Sequence, residues 1–405
     1  MKLTKNFIRS LAAVILSAVI CISVLPVSVS AKEKEVLRVY NWGEYISIGD
    51  DGGLDIIAEF ERTHPGVDVE YTTFASNEEM YAKIRSGSAS YDVIIPSDYM
   101  IARMSDEGML AELNFDNIPN ASYIDDRFWN SIYDPDNQYS VPYTWGTVGI
   151  VYNTTKVTEE IDSWASLWDE KYAGKILMFD NPRDAFAIAY EYLGYSINST
   201  DLGEMEEAAN LLVQQKGVLQ AYVMDQIFNK MQSGEAWIAP YYAGDATVMI
   251  DENPDLDFVI PKEGSNIFVD AMCVLETSEH KELAEEFINF LCDPEIMAEN
   301  IGYIGYSSPS TAAKELLDEE TQENPIIYPE ESRLTKCEYF DYLPEDVNEK
   351  MENLWIAIKA SDGSTELTVG GDNLQFWLIL GAIIAVCIFL NIWIRVRKNR
   401  NKEEY

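Results

Sequence analysis

Asp92-Val93-Ile94-Ile95-Pro96-Ser97-Asp98-Tyr99 is the stretch on which the fold turns. Three branched apolar residues in a row read as a strand buried on both faces, and Pro96 stops it because proline cannot donate to a sheet ladder. Upstream, residues 76–85 open with Ser76-Asn77-Glu78-Glu79, the pattern of a capped helix. Before them, residues 67–71 alternate apolar and polar, and His64-Pro65-Gly66 turns the chain. Residues 54–61 set Leu54, Ile57 and Ala58 on one helical face, and residues 36–41 are a short apolar run. This β-α-β-α-β rhythm predicts an α/β architecture with largely parallel sheets.

The rhythm restarts near residues 147–152, after Pro142-Tyr143-Thr144-Trp145-Gly146. It continues through a strand at 175–179, a helix at 202–215, and strands at 236–240, 257–260 and 267–275. Leu283, Ala284, Phe287, Phe290 and Leu291 then mark an amphipathic helix. A second start implies a second lobe.

The composition fits a protein with a large core: 405 residues, 47% hydrophobic, with modest Gly and Pro. Lys plus Arg number 29 against 69 Asp plus Glu, a net charge of -40. So acidic a surface repels phosphate backbones, which excludes nucleic acid as a partner and favours cationic ones.

The bases gather at the ends. Lys2, Lys5 and Arg9 precede an apolar run closing on Val29-Ser30-Ala31, so residues 1–31 read as a secretion signal. Residues 374–394 carry no charge, are long enough to span a bilayer as a helix, and hold Trp377 and Trp393 near their ends. Arg395, Arg397, Lys398, Arg400 and Lys402 follow. We expect a linker at 361–373, a transmembrane helix at 374–394 and a basic cytoplasmic tail at 395–405, leaving an acidic extracellular domain between signal and helix. Cys273, Cys292 and Cys337 lie in that domain, an odd number from which no disulfide framework can be read.

Much chemistry is missing. The two histidines, His64 in a turn and His280 at a helix start, suit neither a nucleophile pair nor a zinc site. No Gly-rich phosphate loop occurs, and no cofactor is called for. The run Asp251-x-Asn253-x-Asp255-x-Asp257 starts like a calcium loop but lacks its glycine and closing glutamate, so it reads as a solvated loop and no metal site is assigned.

What remains is a set of aromatics beside acids where strands should end: Asn41-Trp42-Gly43-Glu44-Tyr45, Pro96-Ser97-Asp98-Tyr99, Asp180-Asn181-Pro182-Arg183-Asp184 and Tyr241-Tyr242-Ala243-Gly244-Asp245. One such aromatic or acid alone is more often core, rim or helix cap. Ligands of doubly wound sheets, however, sit at the carboxyl ends of strands. Four clusters there make a cleft suited to an organic polycation, whose ammonium heads pair with carboxylates while aromatic faces cover the methylenes.

At these residues the chain resembles the polyamine-binding subunits of bacterial ABC importers, the spermidine/putrescine-binding proteins. The stretches that carry the resemblance are Tyr40-Asn41-Trp42-Gly43-Glu44-Tyr45, Ser76-Asn77-Glu78-Glu79-Met80-Tyr81-Ala82-Lys83, Tyr91-Asp92-Val93-Ile94-Ile95-Pro96-Ser97, Val141-Pro142-Tyr143-Thr144-Trp145-Gly146, Ser163-Trp164-Ala165-Ser166-Leu167-Trp168, Pro261-Lys262-Glu263-Gly264 and Ile301-Gly302-Tyr303, within residues 36–360. It implies a two-lobed periplasmic-binding fold of type II with crossover hinges near Trp145, Asp270 and Tyr303. Lobe 1 would take residues 32–145 and 270–303, lobe 2 residues 146–269 and 304–360.

The ligand positions it implies are Trp42, Glu44, Tyr45, Ser97, Tyr99, Asp184, Tyr242, Asp245, Phe268, Asp270 and Tyr303. Asp184 and Asp245 would hold one ammonium and Asp270 the other, with Trp42, Tyr242 and Phe268 along the methylenes. An ABC permease and its ATPase would be the partners. Asn181 stands where spermidine binders tend to carry an aspartate, and Asp245 matches a pattern more typical of putrescine binders, which with an apolar residue near Phe340 in place of a glutamine slightly favours a diamine over a triamine. Binding of a sugar or metal cation by the same fold, and a glycosidase using paired carboxylates, are the competing functions.

Overall fold

The computed structural model describes residues 34–49, 52–364 and 366–369. The expected signal at 1–31, the apolar run 374–394 and the tail 395–405 lie outside the described residues. Among the described residues, no helix is long and apolar enough to cross a membrane.

The first strand, β1 (Glu35–Trp42), buries Leu37, Val39 and Tyr40 completely. Helix α1 (Ile56–Thr63) follows, capped by the Asp55 carboxylate, which accepts from the Ala58 amide. It leads into β2 (Val67–Phe74), parallel to β1 along its full length. Helix α2 (Asn77–Arg85) starts as its sequence requires: Ser76 Oγ accepts from the Glu79 amide, and the Glu79 carboxylate accepts from the Ala75 amide at 3.2 Å. Strand β3 (Val93–Ile94) pairs parallel with β1 and passes through Pro96-Ser97 directly into α3 (Asp98–Asp106).

Strand β4 (Ser140–Asn153) joins the two halves of the sheet. Three more rounds of strand and helix and a further strand follow it: β5 (Ile176–Phe179), α4 (Pro182–Leu193), α5 (Leu202–Gln215), β6 (Leu219–Val223), α6 (Gln226–Gln232), β7 (Ile238–Tyr242), α7 (Ala243–Glu252) and β8 (Leu256–Val259). The chain returns along β9 (Asn266–Val274), adds α8 (Lys281–Leu291), α9 (Pro294–Ile304) and the short β10 (Glu338–Tyr339), and ends its regular structure in α10 (Glu345–Ala360). The strand order is β2-β1-β3-β9-β4-β7-β5-β6. Residues 140–147 of β4 pair with β9, whereas residues 148–153 pair with β7 and β8, so one strand is shared by two half-sheets.

The sheets are mixed rather than largely parallel. The strands of each βα rhythm pair in parallel, β1 with β2 and β3, β5 with β6 and β7. The connecting strands do not: β9 is antiparallel to β3 and β4, and β4 is antiparallel to β7 and β8. A chain that leaves one half-sheet by β4 and comes back by β9 runs the two strands in opposite directions, which periodicity alone does not reveal.

Aromatic packing holds the first half-sheet to its helices. Phe60 of α1 is fully buried and meets Phe287 edge-on at 4.9 Å and Phe290 at 5.3 Å, both on α8. Cys273 and Cys292 are buried free thiols within this core. The segment expected as a spacer is docked in part, since Leu367 is buried against α5 and its amide donates to Asn210 Oδ1 at 2.8 Å.

Candidate functional site

Each parallel strand of the two rhythms hands its chain to the site at its carboxyl end. Trp42 is the last residue of β1, and the turn beyond it puts Glu44 at φ +50°, a left-handed conformation that a non-glycine residue adopts at a cost. Ser97 precedes α3 but spends no side-chain bond on capping it, so its hydroxyl is free for another partner. Asn181 caps α4 and sets Asp184 in the first turn, while Tyr242 ends β7 and sets Asp245 in the first turn of α7. Phe268 and Asp270 come from the middle of β9.

These residues meet around one narrow cavity of about 50 Å³. Trp42, Tyr45, Ser97, Tyr99, Asp184, Tyr242, Asp245, Phe268 and Asp270 all line it.

Asp270 is held on both oxygens: Ser97 Oγ donates to Oδ1 and Tyr45 Oη to Oδ2, each at 2.6 Å. Tyr45 Oη also contacts Thr144 Oγ1 on the crossing strand. Asp184 Oδ2 accepts from Asn181 Nδ2 at 2.7 Å and from Tyr242 Oη at 2.9 Å. Burial pushes Asp270 up to about 6 and Asp184 up to about 7, in both cases against the hydrogen bonds that favour ionisation. Asp245 rises to about 8, chiefly by burial and then by the nearby charges of Asp225, Glu44 and Asp270.

No lysine or arginine lines the cavity. Arg183 lies behind the wall, its guanidinium 4.3 Å from the Phe340 ring and 5.8 Å from that of Tyr99. Two buried carboxyls, Asp184 and Asp270, and the half-buried Asp245 without a lining cation are costly unless protonated or paired with a positive guest.

The walls are aromatic. Tyr242 meets Phe268 edge-on at 5.5 Å, and Phe268 meets Tyr306 at 6.2 Å. Two glycines allow this closeness: a Cβ on Gly146 would stand 2.8 Å from Phe268 Cζ, and one on Gly244 would stand 2.2 Å from Tyr306 Cδ2. Phe340 closes one end, edge-on to Tyr99 at 5.6 Å.

Two residues of the expected set lie elsewhere. Glu44 and Tyr303 line a separate open cleft, which they share with Asp225 and Asp245. In the cavity the place expected for Tyr303 belongs to Tyr306. Helix α9 ends at Gly305 in the left-handed conformation, and that cap redirects the chain so that Tyr306, not the helical Tyr303, enters the cavity.

Met224, Asp225 and Asn266 line the cavity without a signal in the sequence, and Asn77 and Tyr241, which lie in quoted stretches, line it without having been among the expected ligand positions. Asn77 carried a signal, since it follows the Ser76 cap; there its Oδ1 accepts from the Ser97 amide and its Nδ2 donates to Tyr99 Oη. Among the described residues, no group of three or more His, Cys, Asp or Glu is placed to hold a metal ion.

Comparison with known proteins places the chain in a family. Residues 55–329 match the model of the bacterial extracellular solute-binding protein family. The chain is 33% identical to the spermidine/putrescine-binding periplasmic protein of Escherichia coli over 311 residues, covering 76% of this chain and 87% of that protein. It is 30% identical to the putrescine-binding periplasmic protein PotF of the same organism over 336 residues, covering 78% and 89%. Among solved structures, the spermidine/putrescine ABC transporter substrate-binding protein PotD of Streptococcus pneumoniae, in complex with calcium and HEPES, is 36% identical with a TM-score of 0.68, covering 80% of this chain and 99% of that one. With a matching family model over most of its folded region and relatives of this identity, the chain belongs to the bacterial extracellular solute-binding proteins, which bind solutes and are not enzymes.

Proposed function

We propose that this chain is the extracellular substrate-binding subunit of a polyamine ABC importer, which captures putrescine or spermidine between two lobes and delivers it to a permease driven by its ATPase. The observation that carries the reading is the set of carboxyls in an aromatic slot with no lining cation, Asp184 and Asp270 buried and Asp245 half-buried. A diamine supplies two positive heads at a chain's length from each other and a greasy middle for Trp42, Tyr242 and Phe268. Asp184 and Asp245 hold one head, and Asp270, fixed by Ser97 and Tyr45, holds the other. The relatives named for spermidine and putrescine support the same assignment.

Capture proceeds by closure of lobe 1 (32–145 and 270–303) on lobe 2 (146–269 and 304–360) about the strands that pass between them, with the ligand selecting the closed state. Residues 374–394 anchor the protein in the membrane, with the tail 395–405 in the cytoplasm, which keeps the receptor near its permease. The test of the ligand class is thermal unfolding with putrescine, butylamine and 1,4-butanediol. Only the dication should raise the transition temperature substantially; equal shifts with the neutral diol would contradict the reading.

A further inference from the structure

The chain does not leave the folded body where α10 ends. Past Ala360 it turns back along α5, towards the start of that helix. Lys216, just after α5, donates from Nζ to the carbonyls of Ile358 and Ser361 at 2.9 and 2.5 Å. Nearer the helix start, Asn210 grips Leu367 from both sides: Nδ2 donates to its carbonyl at 2.9 Å and Oδ1 accepts its amide at 2.8 Å. Nearer still, Glu206 accepts the Val369 amide at 2.6 Å. Leu367 is buried and Val369 packs beside it.

We propose that this strap holds the first turns of α5 against the head-group zone of the outer leaflet of a lipid bilayer; the inference rests on the reading of residues 374–394 as a membrane helix. From Val369 to Leu374 the chain takes five Cα steps, at most about 18 Å. A free spacer from Ser361 would take thirteen, about 45 Å. The head-group zone is itself about 5–7 Å deep on each side. A docked strap therefore keeps Val369 within about 11–13 Å of the lipid surface, where a free spacer would allow Ser361 about 40 Å. Leu202, exposed in the first turn of α5, offers an apolar group to that zone. Asp201 and Glu204 lie at the same end, so the fit is to zwitterionic head groups and not to anionic ones. The second half-sheet then rides on the membrane, and the first half-sheet is the part free to swing.

The sheet order supplies the test. Helix α5 connects β5 to β6 at one end of the strand order, and β2 closes the other, seven strands along. The full chain is reconstituted in phosphatidylcholine vesicles that carry an acceptor lipid, with a donor dye introduced at Thr200 or at Thr72 through a noncanonical side chain that spares the native cysteines. Transfer from position 200 should be several-fold stronger than from 72, and Asn210→Leu should bring the two together. In the same vesicles the Leu367 and Val369 amides should exchange slowly with solvent deuterium. Equal transfer from both positions in a chain that floats with the vesicles, or fast exchange of those amides, overturns the strap alone. A chain that does not float with the vesicles overturns the membrane reading and this inference together.

Discussion

Ser97 and Asp270 are joined twice: their backbones form an isolated antiparallel bridge, and Ser97 Oγ donates to Asp270 Oδ1 at 2.6 Å. With Tyr45 on the other oxygen, the carboxylate is oriented before any ligand arrives, so little ordering remains to oppose binding. Replacing Asp270 or Asp184 by alanine leaves a bound ammonium unpaired in a buried slot and should weaken polyamine binding by about 2–5 kcal/mol. Ser97→Ala removes one supporting bond and should cost only about 1 kcal/mol. Calorimetric titration measures both, and undiminished affinity in Asp270→Ala and Asp184→Ala would contradict the assignment.

Affinity should depend on pH. Burial raises Asp270 to about 6 and Asp184 to about 7, whereas a bound dication requires both ionised. Binding must then release protons, and affinity should fall as pH drops from 8 to 5. Titrations in two buffers of different ionisation heat read the proton release directly.

Stability of the ligand-free protein should run the other way. These carboxyls have folded pKa values above the unfolded value of about 3.9. Their contribution is complete below that value and is lost as pH rises through 6 and 7. The ligand-free transition temperature should therefore fall between pH 5 and 8 while the shift produced by putrescine grows. A ligand shift unchanged across that range would contradict the account.

Gly244→Ala should disturb the site and the fold together. Its Cβ would meet the Tyr306 ring at 2.2 Å, and Tyr306 supports Asp245 by a hydrogen bond. Overpacking of this kind costs about 1–3 kcal/mol, readable by denaturant titration, and binding should weaken as Tyr306 is displaced.

Phe60→Ala separates stability from function. The ring is fully buried between α1 and α8, outside the cavity lining. Unfolding free energy should drop by about 3–5 kcal/mol, with affinity per folded molecule unchanged.

The parts of the fold that were legible were those with a local cause. The Ser76 cap, the 54–61 helical face and the stop at Pro96 each fix one element through neighbouring residues. The four clusters of aromatics and acids could be read as one site because parallel strands point their carboxyl ends the same way. What escaped depended on contacts distant in sequence. β6 is half-buried along Leu219–Gln220-Ala221-Tyr222 and shows no alternation, so Met224 and Asp225 beyond it went unnoticed. Tyr303 and Tyr306 differ by three residues and one glycine cap, and only the direction in which Gly305 sends the chain tells them apart. The antiparallel crossing of β4 and β9 follows from topology and leaves no periodic trace.

The most direct test is isothermal titration of residues 32–372, freed of bound ligand by unfolding and refolding, with putrescine and then spermidine. The account predicts saturable binding of at least one, stronger for the diamine, with a negative heat-capacity change from the buried methylenes. No heat with either amine, from protein whose circular dichroism shows it folded, would contradict it.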